Sequence, residues 1–395
     1  MNLVAAGWRS DPLAAWMMTA LHRPNAEADF FSEFCGRLLG EGIPVGRVFC
    51  GLLSLHPQFV SRNLIWTPEG GYRLVTREHG VLQSDFYLRS PIRLIHQGAD
   101  SVRQRLDVAG ELLEFDVWRE LKAEGMTDYV ALPLRFSTGE TNVISYTTTR
   151  PGGFRTAELA RLYDLLPLLS IRLELANAYF ATVTLMSTYL GEAAARRVLA
   201  GTIRRAEGEA IRAAIYLCDL RNFTAISDRT DGSAIISMLD DYFDCMIAPI
   251  RRQGGEVLKF MGDAMLAMFP MDDRTAGLAC RSALRAAEAG SRDLARLSAE
   301  RVARGEPRLL AGVGLHAGDV IFGNIGSEDR LDFTVIGRAV NEVSRVEALT
   351  RTLARPILMT AGFARLTGRG DLLSLGDHVL PGVSEPTEIF APPPG

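Results

Sequence analysis

The stretch Ala213 to Thr224, AAIYLCDLRNFT, joins a strand pattern to a carboxylate and a polar turn. No charged side chain interrupts it before Asp219, which predicts a buried strand that ends on this aspartate. The turn leads into a predicted helix, so Asp219 should lie at a sheet edge beside helix N-terminal amides, where a phosphate and its metal can bind. On its own, an aspartate in this place is more often a helix cap or half of a buried ion pair.

A second aspartate lies in residues 256–270, EVLKFMGDAMLAMFP. The pattern predicts two short strands joined by a Gly-Asp turn that contains Asp263. Strand alternation predicts Val257, Lys259 and Met261 on one face, so that a charged side chain has apolar neighbours. A lone Gly-Asp turn is usually only a turn. Beside a strand-end aspartate on an adjacent strand, however, Asp263 could help to hold two hard cations.

Two further stretches combine glycine with polar side chains. The sequence LLAGVGLHAGDVIFGNIG predicts a Gly-rich hairpin with strands at 310–317 and 320–324. Residues 332–347, DFTVIGRAVNEVSRVE, predict a strand that is followed by a helix. Asn341 and Arg345 are four residues apart on that helix and therefore share a face, which a solvated polar stripe would explain equally well.

The N-terminal part, residues 24 to about 180, predicts a separate α+β domain. Its predicted elements are a helix at 27–39, strands at 45–55, 59–66, 72–75, 128–136 and 142–148, and a helix from Thr156 to about Leu185. The last part, TDYVALPLRFSTGETNVISYTTTRPGGFRTAELARLYDLLPLLSIRLE, resembles the closing hairpin and C-terminal helix of GAF domains. That resemblance implies small-molecule binding or dimerisation, although packing alone explains the pattern as well. A helical stretch interrupted at Gly191 and Gly201 follows, either as a dimer seam or as a simple linker.

The composition excludes several classes of protein. With 395 residues, 43 basic and 47 acidic side chains and a net charge of -4, the chain predicts two or three globular domains and no generic nucleic-acid binding. The five cysteines show no C-x-x-C pair and are typical of reduced cytosolic thiols. No histidine is assigned to haem or metal. Charged residues interrupt the apolar stretch 165–186, and the N-terminus lacks a basic leader, so we expect no membrane span, no secretion and a cytoplasmic location.

Taken together and in order, four stretches resemble the catalytic domain of class III nucleotide cyclases over residues 210–390. They are YLCDLRNFT, GGEVLKFMGDAMLAMF, GVGLHAGDVIFGNIG and DFTVIGRAVNEVSRVE. The resemblance implies a ferredoxin-like α/β fold with a sheet related to polymerase palms, and a head-to-tail homodimer with composite active sites. The expected architecture is a two-domain α+β and α/β protein, with a GAF-like regulatory domain (1–180), a helical connector (181–208) and a cyclase domain (209–395).

The resemblance also implies a metal and phosphate site. It makes Asp219 and Asp263 the metal carboxylates, with the backbone carbonyl of Leu220 as a further ligand, for two Mg²⁺ or Mn²⁺ ions per site. Two ions about 3.5–4 Å apart need carboxylates on adjacent strands. The polyphosphate would be bound by backbone amides of the turn formed by Asn222, Phe223 and Thr224.

Four more residues match the family at positions that the opposite subunit contributes. Lys259 and Thr334 match the pair that reads the purine, Asn341 the residue that orients the ribose, and Arg345 the residue that stabilises charge on the α-phosphate. Arginine suits that role because its guanidinium is planar and always protonated. A basic phosphate-binding residue is frequent in the family at about the position of Pro381, which weakens the expected hold on the triphosphate.

These assignments lead to adenylate cyclase, which converts ATP to 3′,5′-cyclic AMP and pyrophosphate. A cationic donor at Lys259 and a hydroxyl acceptor at Thr334 complement adenine, whereas guanine calls for a carboxylate at the lysine position. Threonine at 334 resembles a bacterial subclass that includes bicarbonate-responsive cyclases, so a small-molecule or bicarbonate effector is a further hypothesis. The alternatives are a guanylate cyclase and a catalytically silent module that binds nucleotide or dimerises.

Overall fold

The computed structural model describes residues 11–20, 27–110, 113–205, 207–382 and 385–394. The chain forms two compact units, residues 1–185 and residues 186–395. Each unit has its own β-sheet and its own hydrophobic core.

The N-terminal unit contains a six-stranded antiparallel sheet in the order β3-β2-β1-β6-β5-β4. Its strands are β1 (Arg47–Leu53), β2 (Phe59–Thr67), β3 (Gly71–Glu78), β4 (Val102–Arg105), β5 (Asp128–Arg135) and β6 (Thr141–Thr148). Its helices are α1 (Pro12–Ala20), α2 (Glu27–Gly40), α3 (Asp85–Leu88), α4 (Pro91–His96), α5 (Asp116–Ala123) and α6 (Thr156–Leu190), with a 3₁₀ turn at Val81–Gln83. The last five residues of α6 belong to the second unit. The five predicted strands and the two predicted helices are present, and β4 and the short helices were missed.

Both faces of this sheet are covered. On one face Leu52 and Ile144 pack with Phe30 of α2 and Leu169 of α6, and all of these side chains are buried. On the other face a smaller cluster around Trp118 of α5 covers the β4-β5-β6 side. Burial on both faces explains why β5 and β6 read as continuous buried runs instead of alternating ones.

The C-terminal unit contains an eight-stranded sheet in the order β13-β14-β12-β10-β7-β9-β8, with β11 paired to β10. Its strands are β7 (Gly208–Leu220), β8 (Glu256–Met261), β9 (Ala264–Met271), β10 (Ala311–Gly326), β11 (Leu331–Ile336), β12 (Ile357–Thr360), β13 (Leu373–His378) and β14 (Thr387–Ala391). Its helices are α7 (Glu192–Leu199), α8 (Phe223–Ser227), α9 (Gly232–Arg252), α10 (Ala276–Ala303), α11 (Arg338–Thr352) and α12 (Ala361–Thr367). The central strand β7 carries the predicted buried run and ends just after Asp219.

The predicted hairpin at 310–324 is wrong. Residues 311–326 form one continuous strand, β10, whose first thirteen residues pair antiparallel with β7 from Leu220 back to Gly208. The glycines that suggested a turn serve helix packing instead. A Cβ at Gly318 would lie 2.7 Å from the Cβ of Ala339, at the start of α11.

The predicted common face of Val257, Lys259 and Met261 is also wrong in part. The β8-β9 register shifts between Val257 and Lys259, which pair with Ala267 and Leu266 respectively. This β-bulge adds one residue to β8 and reverses the alternation. Lys259 and Met261 still share a face of β8. Val257 lies on the other face, where it packs against the hydrophobic core that contains Ile250 and Phe269.

Helix α11 approaches β10 so closely that only glycine fits beneath it. A Cβ at Gly314 would lie 2.7 Å from both the backbone nitrogen of Glu347 and the carbonyl oxygen of Val343. These neighbours are backbone atoms, so they cannot rotate away as a flexible side chain can. The glycine therefore sets the depth of the helix against the sheet, and with it the position of the side chains that α11 carries.

We expect Gly314→Ala to destabilise the protein by about 1–3 kcal/mol, because the added methyl group must push the helix off the strand. A matched control is Gly362→Ala in α12, where a Cβ meets nothing within 4 Å. The control should be neutral or stabilising, since alanine is the better helix former. Chemical denaturation of the two variants measures the difference, and equal midpoints would show that α11 can shift without cost.

Candidate active site

Asp219 and Asp263 converge at one edge of the C-terminal sheet. Asp219 pairs in register with Gly312 of β10 on one side and with Ala264 of β9 on the other. Asp263 directly precedes Ala264 in the tight turn between β8 and β9. Burial and the neighbouring Asp263 carboxylate raise the pKa of Asp219 to about 6. Two carboxylates that repel one another in this way are suited to a shared divalent cation.

A third carboxylate, which the sequence did not reveal, lies beside this pair. Burial, followed by the charge of Asp219, raises the pKa of Glu347 to about 7. The side chain of Glu347 lies over β10, since a Cβ at Gly312 would come within 2.5 Å of its carboxylate oxygen. Gly312 is also the register partner of Asp219. The only sequence signal for Glu347 is its place two residues after Arg345, and that spacing says nothing about which strand the helix covers.

Arginines beside these carboxylates balance part of their charge. Arg221, directly after β7, donates hydrogen bonds to the backbone oxygens of Thr350 (2.9 Å) and Arg355 (3.0 Å). Its charge favours the ionised form of Glu347, and the charge of Arg351 does the same for both Glu347 and Asp219. These two carboxylates therefore interact with charged residues at the end of α11 and directly after β7.

The turn after β7 presents backbone instead of side chains. Leu220 and Phe223 direct their side chains into the hydrophobic core. Asn222 has a φ of 60° and a ψ of 26°, the left-handed conformation that asparagine tolerates better than most residues. Thr224, on the first turn of the short helix α8, is exposed. What Leu220 and the 222–224 turn can offer a ligand is therefore mainly carbonyl oxygens and amides.

Lys259 has a partner in the chain, whereas the side chain of Thr334 has none among the described residues. Lys259 Nζ forms an ion pair with Asp332 Oδ2 at 3.3 Å. Thr334 is only 4% exposed, and its Oγ1 has no hydrogen-bond partner within the described residues. Asp332 and Thr334 are two residues apart on β11 and thus share a face of the strand. Strand alternation could have identified Asp332, which the sequence analysis missed.

Asn341 and Arg345 are on α11, but not on the side of the helix that carries Glu347. Residues 345 and 347 are about 200° apart around a helix, so the side that carries Arg345 is nearly opposite to the side that carries Glu347. Arg345 lies instead against the turn at Gly382, where a Cβ would be 3.1 Å from a guanidinium nitrogen. Pro381 directly precedes this glycine. In one chain the candidate residues therefore form separate groups.

The side chains at this site fit divalent cations that take their remaining ligands from a substrate. In the part of the chain that the structure describes, no group of three or more His, Cys, Asp and Glu side chains is arranged to hold a metal by itself. Asp219 and Asp263 supply two hard oxygen ligands, which suits Mg²⁺ bound through one or two carboxylates plus phosphate oxygens. Over the same described ranges, no helix is both long enough and apolar enough to cross a membrane.

The sequence of this unit matches a known family. Residues 208–366 match the family described as the adenylate and guanylate cyclase catalytic domain. Residues 208–366 are a nucleotide cyclase catalytic domain. The match covers β7 to α12 and so includes every candidate residue of the site except Pro381.

Curated relatives of the cyclase domain include proteins named as adenylate cyclases. The adenylate cyclase of Anabaena cylindrica is 36% identical over 154 residues, which are 39% of this chain and 30% of the relative. Adenylate cyclase 1 of Rhizobium meliloti is 34% identical over 143 residues, 35% of this chain and 21% of the relative. The chain spans about a third of the length of the first curated relatives that it matches.

Solved cyclase structures are also similar to this chain. The adenylyl cyclase CyaB from P. aeruginosa is 26% identical, with a TM-score of 0.43, over 47% of this chain and 94% of that chain. The guanylyl cyclase Cya2 is 27% identical, with a TM-score of 0.41, over 46% of this chain and 92% of that chain.

Proposed function

We propose that the protein is an adenylate cyclase that converts ATP to 3′,5′-cyclic AMP and pyrophosphate. The observation that carries this proposal is the convergence of Asp219 and Asp263 at the end of the central strand, inside a cyclase catalytic domain. Curated relatives named as adenylate cyclases support ATP as the substrate. A silent nucleotide-binding module has no physical need for two half-buried carboxylates so close together that Asp263 disfavours ionisation of Asp219.

The proposed metal ligands are Asp219, Asp263 and the backbone carbonyl of Leu220. Mg²⁺ or Mn²⁺ bound there would lower the pKa of the ribose 3′-hydroxyl and neutralise triphosphate charge. The two carboxylates would hold the ions at the strand end, and the backbone amides of Phe223 and Thr224, which follow the left-handed turn at Asn222, would bind the polyphosphate. Glu347 and Arg351, which flank the pair, adjust the net charge that a cation meets.

The proposed active site is shared between two copies of the chain. Asn341 would orient the ribose and Arg345 would stabilise charge on the α-phosphate. Around the axis of α11, however, Asn341 is about 120° and Arg345 about 160° away from Glu347. A second subunit, placed head to tail, would bring its own Asn341 and Arg345 to the carboxylates of the first. Two points support this proposal. Within one chain, Arg345 is separated from the carboxylates, and the cyclase family that the sequence resembles works as a dimer.

The proposed base-reading residues are Lys259 and Thr334. Lys259 can donate to a ring nitrogen of adenine, and the unpartnered hydroxyl of Thr334 can accept from the N6 amino group. Asp332 supports guanylate cyclase as the second candidate function, because its exposed carboxylate beside Lys259 could accept from N1–H and N2–H₂ of guanine. The two candidates differ in which member of the Lys259–Asp332 pair faces the base.

We also propose that the chain has the three functional segments that its sequence predicts. Residues 1–180 would be a GAF-like regulatory domain, 181–208 a helical connector and 209–395 the catalytic domain. The support is the resemblance of residues 127–174 to the end of GAF domains. A bicarbonate response rests on Thr334 alone and is tested by adding bicarbonate at constant pH to the assay below.

Activity with each nucleotide tests the main proposal directly. The purified full chain is incubated with ATP or GTP and Mn²⁺, and the products are separated by chromatography. We expect cyclic AMP from ATP and much less cyclic GMP from GTP. Faster formation of cyclic GMP would favour guanylate cyclase, the second candidate function. If neither nucleotide gives a cyclic product, the protein is not a cyclase under these conditions, and the remaining candidate is the catalytically silent nucleotide-binding module.

Asp332→Asn distinguishes the two base-reading arrangements. If Asp332 only orients Lys259, the variant should raise KM for ATP about two- to fivefold with little change in kcat, since an exposed ion pair contributes up to about 1 kcal/mol. If Asp332 binds guanine, turnover of GTP should fall while turnover of ATP does not. Asp329→Asn in the neighbouring loop is the matched control, and an unchanged KM for both nucleotides in Asp332→Asn would remove Asp332 from the base site.

A further inference from the structure

A cavity of about 600 Å³ lies in the N-terminal unit, on the face of the sheet opposite to α2 and α6. Its floor is formed by side chains of β1, β2, β3 and β6, and its roof by the 3₁₀ turn with α3 and α4. The volume is within the range of about 300–1,000 Å³ that is typical of small-molecule sites.

Small residues keep this cavity open. Gly51, Ser61 and Ser145 stand on the floor, where larger side chains would fill the space. A Cβ at Gly51 would lie 3.2 Å from the ring of Phe49 and 3.3 Å from a methyl group of Val143, which is tighter than ordinary contact. The rest of that face, towards β4, is closed by the cluster around Trp118. The cavity is thus a local gap in an otherwise packed layer.

The interior of the cavity is largely apolar but contains one unsatisfied polar atom. Phe49, Leu53, Ile65 and Val75 project into it from successive strands. On the roof, His96 Nδ1 is 2.9 Å from the hydroxyl of Tyr87, while His96 Nε2 is buried and has no hydrogen-bond partner among the described residues. A buried polar atom without a partner is costly, so a bound molecule that supplies a partner would be stabilised here.

Arginines surround the mouth of the cavity. Arg73, Arg77 and Arg89 line it, are exposed, and form no ion pair within the ranges that the structure covers. Arg77 lies 5.0 Å from the ring centroid of Phe86, an aromatic side chain that is 67% exposed.

Other charged groups at the cavity partly offset these arginines. Asp116 is paired with Arg119, and Arg47 is paired with Glu124. Asp85 and Glu120 are the remaining acidic side chains of the lining. The unpaired charge along β3 is therefore positive, because Arg73 and Arg77 both project from that strand.

We propose that this cavity binds a small amphipathic organic anion. The apolar body of the ligand lies between the floor and the roof, with a polar group at His96 Nε2. Its anionic group remains at the mouth, beside Arg73 and Arg77. This site is separate from the nucleotide site and does not depend on the proposed cyclase activity.

A pair of fluorescent probes tests the proposal on the full-length protein. The first is 1-anilinonaphthalene-8-sulfonate, and the second is N-phenyl-1-naphthylamine, which lacks the sulfonate. We expect one saturable site for the sulfonate probe, with affinity that falls as salt is added. The double variant Arg73→Gln/Arg77→Gln should weaken the sulfonate probe about tenfold and the neutral probe by less than about twofold.

Two further variants serve as controls. Val75→Trp fills the cavity and should abolish binding of both probes. Arg135→Gln removes an exposed arginine of the same sheet that is outside the cavity, and should change neither probe. Sulfonate binding that is unchanged in the arginine double variant, or a neutral probe that binds as tightly as the sulfonate, would overturn the proposal. If Val75→Trp fails to fold, the arginine variant still decides, since its two side chains are exposed.

Discussion

Replacing Asp263 by Asn should abolish formation of the cyclic nucleotide and leave the fold intact. The variant keeps the shape of the side chain but removes one of the two charges that would hold the cations. Loss of one preorganised charge at a reacting phosphate typically costs about 10²–10³-fold in kcat, and loss of a metal ligand should cost at least as much. Initial rates with saturating ATP and Mn²⁺ measure the effect.

Thermal stability separates this loss of activity from misfolding. In the metal-free protein, Asp263 disfavours the ionised form of Asp219. Removing that repulsion should therefore leave the melting temperature unchanged or raise it. Mn²⁺ should stabilise the wild-type protein and not the variant, because only the wild type retains both carboxylates. A variant with normal turnover, or one that Mn²⁺ still stabilises equally, would refute the metal assignment.

Mixing two inactive chains should restore part of the activity. Asp219→Ala removes a metal ligand and Arg345→Ala removes the proposed transition-state arginine, so neither homodimer has a complete site. In the mixed dimer, one site combines the intact carboxylates of one chain with the intact arginine of the other. With random assortment of equal amounts, about a quarter of the wild-type activity is expected, since about half of the dimers are mixed and each has one working site of two.

A second pair of variants provides the control for this experiment. Asp219→Ala and Asp263→Ala both damage the carboxylate side of the site, so their mixture has no complete site and should stay inactive. The chains are co-expressed with different affinity tags, and the mixed dimer is purified on both tags in turn. The purified Asp219→Ala/Arg345→Ala dimer should have about half of the wild-type activity, because one of its two sites is complete. No rescue in a verified Asp219→Ala/Arg345→Ala dimer would contradict a shared active site, as would rescue in the control pair.

Local patterns predicted most elements of both units, and tertiary contacts decided the exceptions. The buried run before Asp219 and the Gly-Asp turn at Asp263 appear as strands and turn where expected. The glycines of β10 were misread because a glycine that accommodates a crossing helix has the same sequence signal as a glycine in a turn. The bulge near Lys259 was missed because register depends on the partner strand.

The candidate site shows the same division. Asn341 and Arg345 share a helix face by spacing alone, and Asp332 shares a strand face with Thr334 for the same reason. The role of Glu347 beside Asp219 has no such local signal, because it depends on how deeply α11 lies against Gly312 and Gly314. The ion pair of Lys259 with Asp332 likewise joins two strands that are distant in the chain.

The sequence by itself determined which residues end strands, which share a face and which chemistry they could perform. Those properties follow from side-chain type and from the repeat of the backbone, and both are local. Only the tertiary structure decided that Asp219 and Asp263 meet, that Arg345 does not meet them within one chain, and that the N-terminal sheet leaves a cavity. Such distances depend on register and on packing depth, which are set by contacts between residues far apart in the chain.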